Sequence, residues 1–315
     1  MKLKVLTFCV LAGLLWSCGR TEYRRAAGAA WGTVYHITYR ADRDLADSVV
    51  AEMRRVELSL SMFDAASTVS RVNAGETDEV DSMFRDVYAV SALVNRLTGG
   101  FFDPTVAPLV DLWGFGRRGV PATPSVAEVD SVLRRVGIGR SRLDGLRLHR
   151  GHPDMEFDFS AVAKGYGVDR VAAMLERNGV RDYMVEIGGE VRTAGRNPSG
   201  QVWRIAIESP ASAMPGDSAM RVIELDNAAV ATSGNYRNFR ELSADSVIGH
   251  TINPLTGYPE ARQTVSATVI APDCALADAL ATACMLLSPD SAMALRDSLP
   301  GVRIILLTKD GKLLE

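Results

Sequence analysis

The sequence predicts an α+β fold built as one large domain. Helical and strand patterns alternate irregularly along the chain, and no strand–helix–strand period repeats. Of its 315 residues, 47% are hydrophobic and 23% are charged, which is enough apolar content for a substantial core. No repeat or long linker divides residues 31–315. We therefore expect one continuous domain over that range.

The start of the chain resembles an export signal. Lys2 and Lys4 precede an apolar run over residues 5–16, which is too short to span a bilayer comfortably. The segment Leu15-Trp-Ser-Cys18-Gly19 is similar to a bacterial lipobox, in which the cysteine is lipidated and becomes the new N-terminus. The alternative is a plain signal with an incidental cysteine.

These features predict a lipoprotein signal peptide over residues 1–17 and a tether over residues 18–30. We expect a lipid-anchored protein of the cell membrane that faces the periplasm, in either the inner or the outer membrane. The formal net charge of −3 predicts no general attraction to nucleic acid.

In the first half of the domain, alternation over residues 33–40 predicts a strand. Apolar stripes over residues 45–60 and 80–94 predict two helices, the second ending at Gly99-Gly100. Ser125 and Glu128 form a capping box that opens a helix ending near Gly137.

In the second half, residues 165–178 read as a helix that ends at Gly179, and residues 275–287 read as another. A further helix follows Ser288-Pro289. Strands are predicted over residues 143–149 and 155–159, which we expect to pair, and over 183–187, 203–208, 221–225, 265–271 and 302–307. Cys274 and Cys284 lie about 15 Å apart along the predicted helix, too far for a disulfide.

Two glycine-rich segments are candidates for anion binding, and only the second fits. Residues 114–119 match the dinucleotide fingerprint literally, but Pro121 and Pro124 follow where the fingerprint needs a helix. Residues 158–169 instead join an apolar strand to a helix, whose first N–H groups are free. Lys164 is the only lysine between residues 5 and 308, so we interpret it as a phosphate contact. The alternative is a solvated first-turn lysine.

The predicted helix over residues 275–287 is apolar almost all round and must be buried. Asp278 and Thr282 lie four residues apart on one face, and their oxygens suit Mg²⁺. The alternative is an aspartate that interacts with free N–H groups at a helix start. Residues 231–239 and 249–259 read as binding loops, and the second contains His250, although a lone histidine is usually structural.

Eight motifs in order closely resemble the FAD:protein FMN transferase family, the ApbE-type flavin-trafficking lipoproteins, from about residue 30 to the C-terminus. The motifs are Trp31-Gly-Thr33, Leu60-Ser-Met-Phe63, residues 99–116, residues 158–167, Glu186-Ile-Gly-Gly-Glu190, residues 232–238, residues 250–257 and residues 277–282. The resemblance implies an ApbE-type (T-fold-like) domain of mixed sheets with packed helices. It also implies an enzyme that uses Mg²⁺ to move FMN from FAD to a threonine of an exported or membrane-bound redox protein, with release of AMP.

The resemblance also assigns residues. The metal ligands would be Asp278, Thr282 and the backbone oxygen of Ala161, and Asp278 would be catalytic through the metal. His250 is a hypothetical base for the acceptor hydroxyl. FAD contacts would come from Trp31, Phe63, Phe101, Phe102, Asp103, Lys164 and Ile252.

The chain departs from the family pattern at Trp31, Ser160 and Asn253, where the family usually has Met, Gly and Asp. These changes leave two alternatives open. One is an FAD pyrophosphatase of the same family, which forms FMN and AMP with water as the acceptor. The other is a non-enzymatic flavin-binding lipoprotein, which would need no metal, so the intact Asp278 and Thr282 pair argues against it.

Overall fold

The computed structural model describes residues 21–116, 123–207, 221–234, 239–243, 246–249, 251–260 and 263–315. Several features predicted above lie outside these residues: the signal peptide, Cys18, residues 117–119 of the fingerprint match, residues 235–238 of the first predicted binding loop, and His250. In the described part of the chain, no helix is both long and apolar enough to cross a bilayer.

Six of the eight helices in the described part of the chain follow the sequence predictions, while the short helices α2 and α4 were not predicted. They are α1 (Ala46–Leu60), α2 (Thr68–Asn73), α3 (Ser82–Leu97), α4 (Ala107–Leu112), α5 (Val126–Leu133), α6 (Ala163–Arg177), α7 (Cys274–Cys284) and α8 (Pro289–Ser298). The capping box of α5 is formed as predicted, since Ser125 accepts from the Glu128 N–H and Glu128 accepts from the Ser125 N–H. Gly179 follows α6 with φ = 80°, the left-handed conformation that ends a helix.

The strands are β1 (Glu22–Ala30), β2 (Thr33–Ala41), β3 (Arg142–Asp144), β4 (Arg147–His149), β5 (Tyr183–Ile187), β6 (Glu190–Ala194), β7 (Trp203–Ile207), β8 (Arg221–Leu225), β9 (Ala229–Gly234), β10 (Phe239–Ser243), β11 (Ser246–Gly249), β12 (Thr264–Ala271), β13 (Arg303–Thr308) and β14 (Leu313–Leu314). Eight of them form an antiparallel sheet in the order β1-β2-β5-β6-β9-β12-β13-β14. The other strands form two-stranded sheets, β3-β4, β7-β8 and β10-β11.

Two helices pack together on the central strands and position the site. Helix α6 packs against β5 and β6, and α7 packs against β9 and β12. Val168 and Leu175 of α6 are fully buried in the same cluster as Val185 of β5. Helix α7 is buried almost all round, as its composition predicts. The α+β prediction is therefore confirmed.

The prediction of a tether over residues 18–30 is wrong from Glu22 onward. Residues 22–30 form the edge strand β1, which pairs with β2 from Glu22–Ala41 to Ala30–Thr33. Small residues and two arginines give this segment no clear apolar alternation, so only its pairing with β2 reveals the strand.

The prediction that residues 155–159 form a strand paired with residues 143–149 is also wrong. The 155–159 segment is extended, and Met155, Phe157 and Phe159 are fully buried. However, the Phe157 N–H donates to Asn73 Oδ1 at 2.8 Å, and the Asp158 N–H donates to the Pro104 carbonyl at 2.6 Å. Every second side chain of this segment is buried, as in a strand. However, its hydrogen-bond partners, Asn73 and Pro104, belong to no strand ladder.

The first part of the predicted binding loop, residues 231–234, is a strand. These residues are the end of β9, which lies between β6 and β12 in the sheet. Cys274 and Cys284 are buried free thiols, as predicted.

Candidate active site

A cavity of about 630 Å³ lies at the N-terminal end of α6, within the size range of cofactor sites. Nine predicted site residues line it: Phe63, Phe101, Phe102, Asp103, Ala161, Lys164, Ile252, Asp278 and Thr282. They come from segments spread over more than two hundred positions of the chain. The fold thus brings the predicted metal ligands and most of the predicted flavin contacts to one place.

Asp278 lies at a close contact between α6 and α7. Gly165 permits this contact, because a Cβ at that position would lie 2.4 Å from the Cys274 carbonyl oxygen and 2.8 Å from the Asp278 Cβ. The Gly165 N–H, one of the free donors of the first turn of α6, donates to Asp278 Oδ2 at 3.0 Å. The contact with a helix-start N–H is therefore observed, although the helix is α6 and not its own, and Asp278 also lines the cavity, while its role as a Mg²⁺ ligand stays a prediction.

Burial raises the pKa of Asp278, while the Lys164 ammonium and the Gly165 N–H oppose that rise. The residue is 4% exposed, and its Oδ2 accepts from the backbone N–H of Gly165. A buried carboxylate is costly unless a cation or further donors compensate its charge.

Lys164, the second residue of α6, is half-buried and lines the cavity. Its Nζ lies 2.6 Å from Glu190 Oε1 at the start of β6. Burial lowers the pKa of Lys164, but the negative charges of Asp278 and Glu190 outweigh burial and raise it overall. Lys164 is therefore a charged cation facing the cavity, not a solvated surface lysine.

Thr282 lies one turn after Asp278 on α7, and its hydroxyl is 3.2 Å from the Ser233 hydroxyl at the end of β9. Thr232, Ser233 and Gly234 also line the cavity. The polar residues interpreted as a loop thus reach the site from the end of a strand.

Aromatic rings border the cavity. Phe63 is 85% exposed, which is unusual for a large apolar side chain and leaves its ring free to cover a planar ligand. Phe102 is buried and Phe101 is partly buried, both on the segment that follows α3.

Asp103 lines the cavity, but its oxygens already hold the surrounding loop. Oδ1 accepts from the Thr105 N–H at 2.8 Å and from the Thr105 hydroxyl at 2.6 Å, while Oδ2 accepts from the Ile138 N–H at 2.9 Å. Burial raises the pKa of Asp103, and these hydrogen bonds oppose the rise. Asp103 therefore shapes the wall of the cavity.

Trp31 is the one described residue of the predicted set that does not line the cavity. It lies in the turn between β1 and β2, where its φ is 52° and that of Gly32 is 75°. Its ring lies against Gly167 of α6, where a Cβ would come within 2.2 Å of Trp31 Cη2. The tryptophan thus packs onto the helix that carries Lys164.

Glu190 was missed as a site residue, although its motif was recognised. The side chain is 3% exposed, lines the cavity and pairs with Lys164. The sequence offered a weak signal, an ionisable residue directly after Gly188-Gly189, but its burial is evident from the structure alone.

The donor set fits Mg²⁺. The described residues hold no cluster of three or more His, Cys, Asp or Glu side chains suited to a metal. Mg²⁺ needs no such cluster, since it takes one or two carboxylates with other oxygens and keeps several waters. The Asp278 carboxylate, the Thr282 hydroxyl and the Ala161 segment supply hard oxygens at one cavity.

Fold and cavity together define an α+β protein with one cavity that is bordered by aromatic rings and carries Lys164, Asp278 and Thr282. The ApbE family model matches residues 31–306. The chain belongs to the ApbE family, which confirms the resemblance seen in the sequence.

Named relatives and solved structures agree with this membership. An FAD:protein FMN transferase of Vibrio cholerae is 37% identical over 95% of this chain and 92% of that protein. One from Haemophilus influenzae is 35% identical over 87% and 83%, respectively. The structure of the flavin transferase ApbE from Vibrio cholerae matches with a TM-score of 0.82 and 34% identity, covering 94% of this chain and 96% of that one. The apo flavinyl transferase ApbE of Pseudomonas stutzeri matches with a TM-score of 0.83 and 32% identity, covering 93% of each chain.

Proposed function

We propose that this chain is an FAD:protein FMN transferase that moves FMN from FAD to a threonine of an acceptor protein and releases AMP. Family membership and the names of the relatives support this activity. The observation that carries the proposal is the meeting of Lys164, Asp278 and Thr282 at one cavity with aromatic walls.

The proposed reaction needs charge stabilisation and positioning more than covalent help from the enzyme. The bond between the FMN phosphorus and the bridging oxygen breaks, and AMP leaves with that oxygen. A bond between the threonine Oγ and the same phosphorus forms. The Lys164 ammonium faces the cavity and would offset the negative charge that builds on the phosphate oxygens.

Asp278, Thr282 and the Ala161 backbone oxygen would hold Mg²⁺. When bound, this ion would neutralise charge on the pyrophosphate. His250 remains our proposed acceptor of the threonine proton, because imidazole titrates near neutral pH. The exposed ring of Phe63 and the partly buried ring of Phe101 would cover the flavin and limit the access of water to the anhydride.

Product analysis tests the proposal. The purified chain is incubated with FAD and Mg²⁺, with and without a threonine-bearing acceptor, and AMP, free FMN and protein-bound flavin are measured. We expect AMP and protein-bound flavin to form together only with the acceptor, and chelation with EDTA to stop both. AMP with free FMN would show a pyrophosphatase instead, and FAD binding without AMP would show a carrier.

We also propose that the protein is a lipoprotein anchored through Cys18 and facing the periplasm, where its acceptor would be a redox protein. The support is the basic start, the short apolar run and the lipobox-like segment before Cys18.

A further inference from the structure

Glu190 is a buried acidic residue at the cavity, and only one of its two carboxylate oxygens has a partner among the described residues. It opens β6 directly after the Gly188-Gly189 turn, where both glycines have positive φ (64° and 100°). Its Oε1 lies 2.6 Å from Lys164 Nζ. Its Oε2 is buried and has no hydrogen-bond partner among the described residues.

An arrangement of this kind costs stability. A buried carboxylate oxygen without a donor has lost its hydration and gained nothing in return. Burial and the nearby charge of Asp278 raise the pKa of Glu190, and Lys164 opposes the rise. Oε2 makes no hydrogen bond that would stabilise the fold among the described residues. The contact of Oε1 with Lys164 therefore explains the position of Glu190 better than a structural role does.

A lysine ammonium on four methylenes is mobile unless a partner fixes it. Helix α6 fixes only the Lys164 backbone, and the side chain is 37% exposed. Glu190 supplies a fixed acceptor, because β6 is paired on both sides, with β5 and β9. The pair therefore holds the ammonium at the wall of the cavity that also carries Asp278.

We propose that Glu190 is a positioning residue that fixes Lys164 for contact with the pyrophosphate of a flavin dinucleotide. This inference rests on the proposed function, since it takes FAD as the ligand. Glu190 need not touch the ligand, and its effect should fall on phosphate-bearing ligands alone.

Ligand-binding measurements on the full chain with Mg²⁺ test this role, using FAD and riboflavin, which has the same ring but no phosphate. Glu190→Gln keeps the shape of the side chain and replaces the carboxyl group that faces Lys164 with an amide. We expect the Kd for FAD to rise about tenfold to a hundredfold, the range for a charged hydrogen bond, while the Kd for riboflavin stays the same. Lys164→Met should show the same selectivity.

The double variant gives the decisive comparison. If Glu190 acts through Lys164, the two substitutions together should raise the Kd for FAD no more than Lys164→Met alone. Additive effects, equal weakening of riboflavin binding, or unchanged FAD binding in Glu190→Gln would each overturn the proposal.

The matched control is Glu186→Gln, in the same hairpin. Glu186 Oε2 lies 2.8 Å from His36 Nδ1, and its Oε1 accepts from the Gly189 N–H at 2.8 Å, a bond that the oxygen of Gln can also accept. Glu186 does not line the cavity, so FAD affinity should stay the same. Failure of the proposed function can be distinguished from failure of the Glu190 proposal, because in the first case the unaltered chain would not bind FAD or would release no AMP.

Discussion

The side chain of Asp278 is central to the proposed chemistry of the site. It is held by the Gly165 N–H on one oxygen, is buried, and faces the cavity beside Lys164. Such a carboxylate stays charged only with compensating positive charge. Lys164 supplies part of that charge, but it also pairs with Glu190. The negative charge of the two acids is therefore not fully compensated, which favours the binding of a divalent cation.

Asp278→Ala should therefore abolish turnover while part of the FAD affinity persists, because the aromatic contacts and Lys164 remain. If Asp278 holds Mg²⁺ as proposed, its loss removes several kcal/mol of charge stabilisation, so AMP release should fall at least about a thousandfold. AMP is quantified by chromatography, and FAD binding by fluorescence.

The control for that prediction is Asp273→Asn, at the start of the same helix. Asp273 is 63% exposed and makes no side-chain cap hydrogen bond, so AMP release should be close to that of the unaltered chain. Unchanged AMP release in Asp278→Ala would remove the metal assignment.

At the residue scale, short-range spacing predicted Asp278 and Thr282, because one helical turn brings them to one face whatever the rest of the fold does. Lys164 was predicted from its rarity and its place at a helix start. The role of Glu190 could not be predicted, because its partner lies on another element.

At the scale of elements, the contact between α6 and α7 sets the geometry of the site. Gly165 brings the helices together, and Asp169 strengthens the contact by accepting from the Cys274 and Ala275 N–H groups at 3.0 and 2.9 Å. Arg192 of β6 pairs with Asp169 at 2.6 Å. The start of α7 is thus held by α6 and the sheet, not by a cap of its own.

Gly165→Ala should destabilise the protein, because the added Cβ would meet the backbone of Cys274, which cannot move aside as a flexible side chain can. Overpacking of this kind costs about 1–3 kcal/mol. We expect a lower denaturant midpoint and, since the shift also displaces Asp278, slower AMP release. Gly139→Ala is the control, as a Cβ there meets nothing within 4 Å. Equal midpoints for the two variants would contradict the close contact.

On the scale of the whole molecule, the sheet order explains why one cavity can be built from distant segments. Strands β6, β9 and β12 are neighbours although long stretches of chain separate them. The end of β9 thereby comes beside α7, and the start of β6 comes beside Lys164.

The proposed anchor is also a property of the whole molecule, and Cys18→Ser tests it. Lipidation at that residue should be the only membrane attachment, so the variant should move from the membrane pellet to the soluble periplasmic fraction with its AMP release unchanged. Immunoblots of fractionated cells measure the distribution. Recovery of the variant in the pellet would count against the lipobox.

By itself, the sequence determined the α+β class, most helices and the motifs that place the chain in the ApbE family, because periodicity, capping and motif order are local properties. The tertiary structure decided which strands pair, and it showed that residues 22–30, predicted as a tether, form strand β1. It also decided that the Trp31 ring packs on α6 and that Glu190 holds Lys164. These contacts join residues far apart in the chain, and no local pattern records a partner whose position depends on the register of a whole sheet.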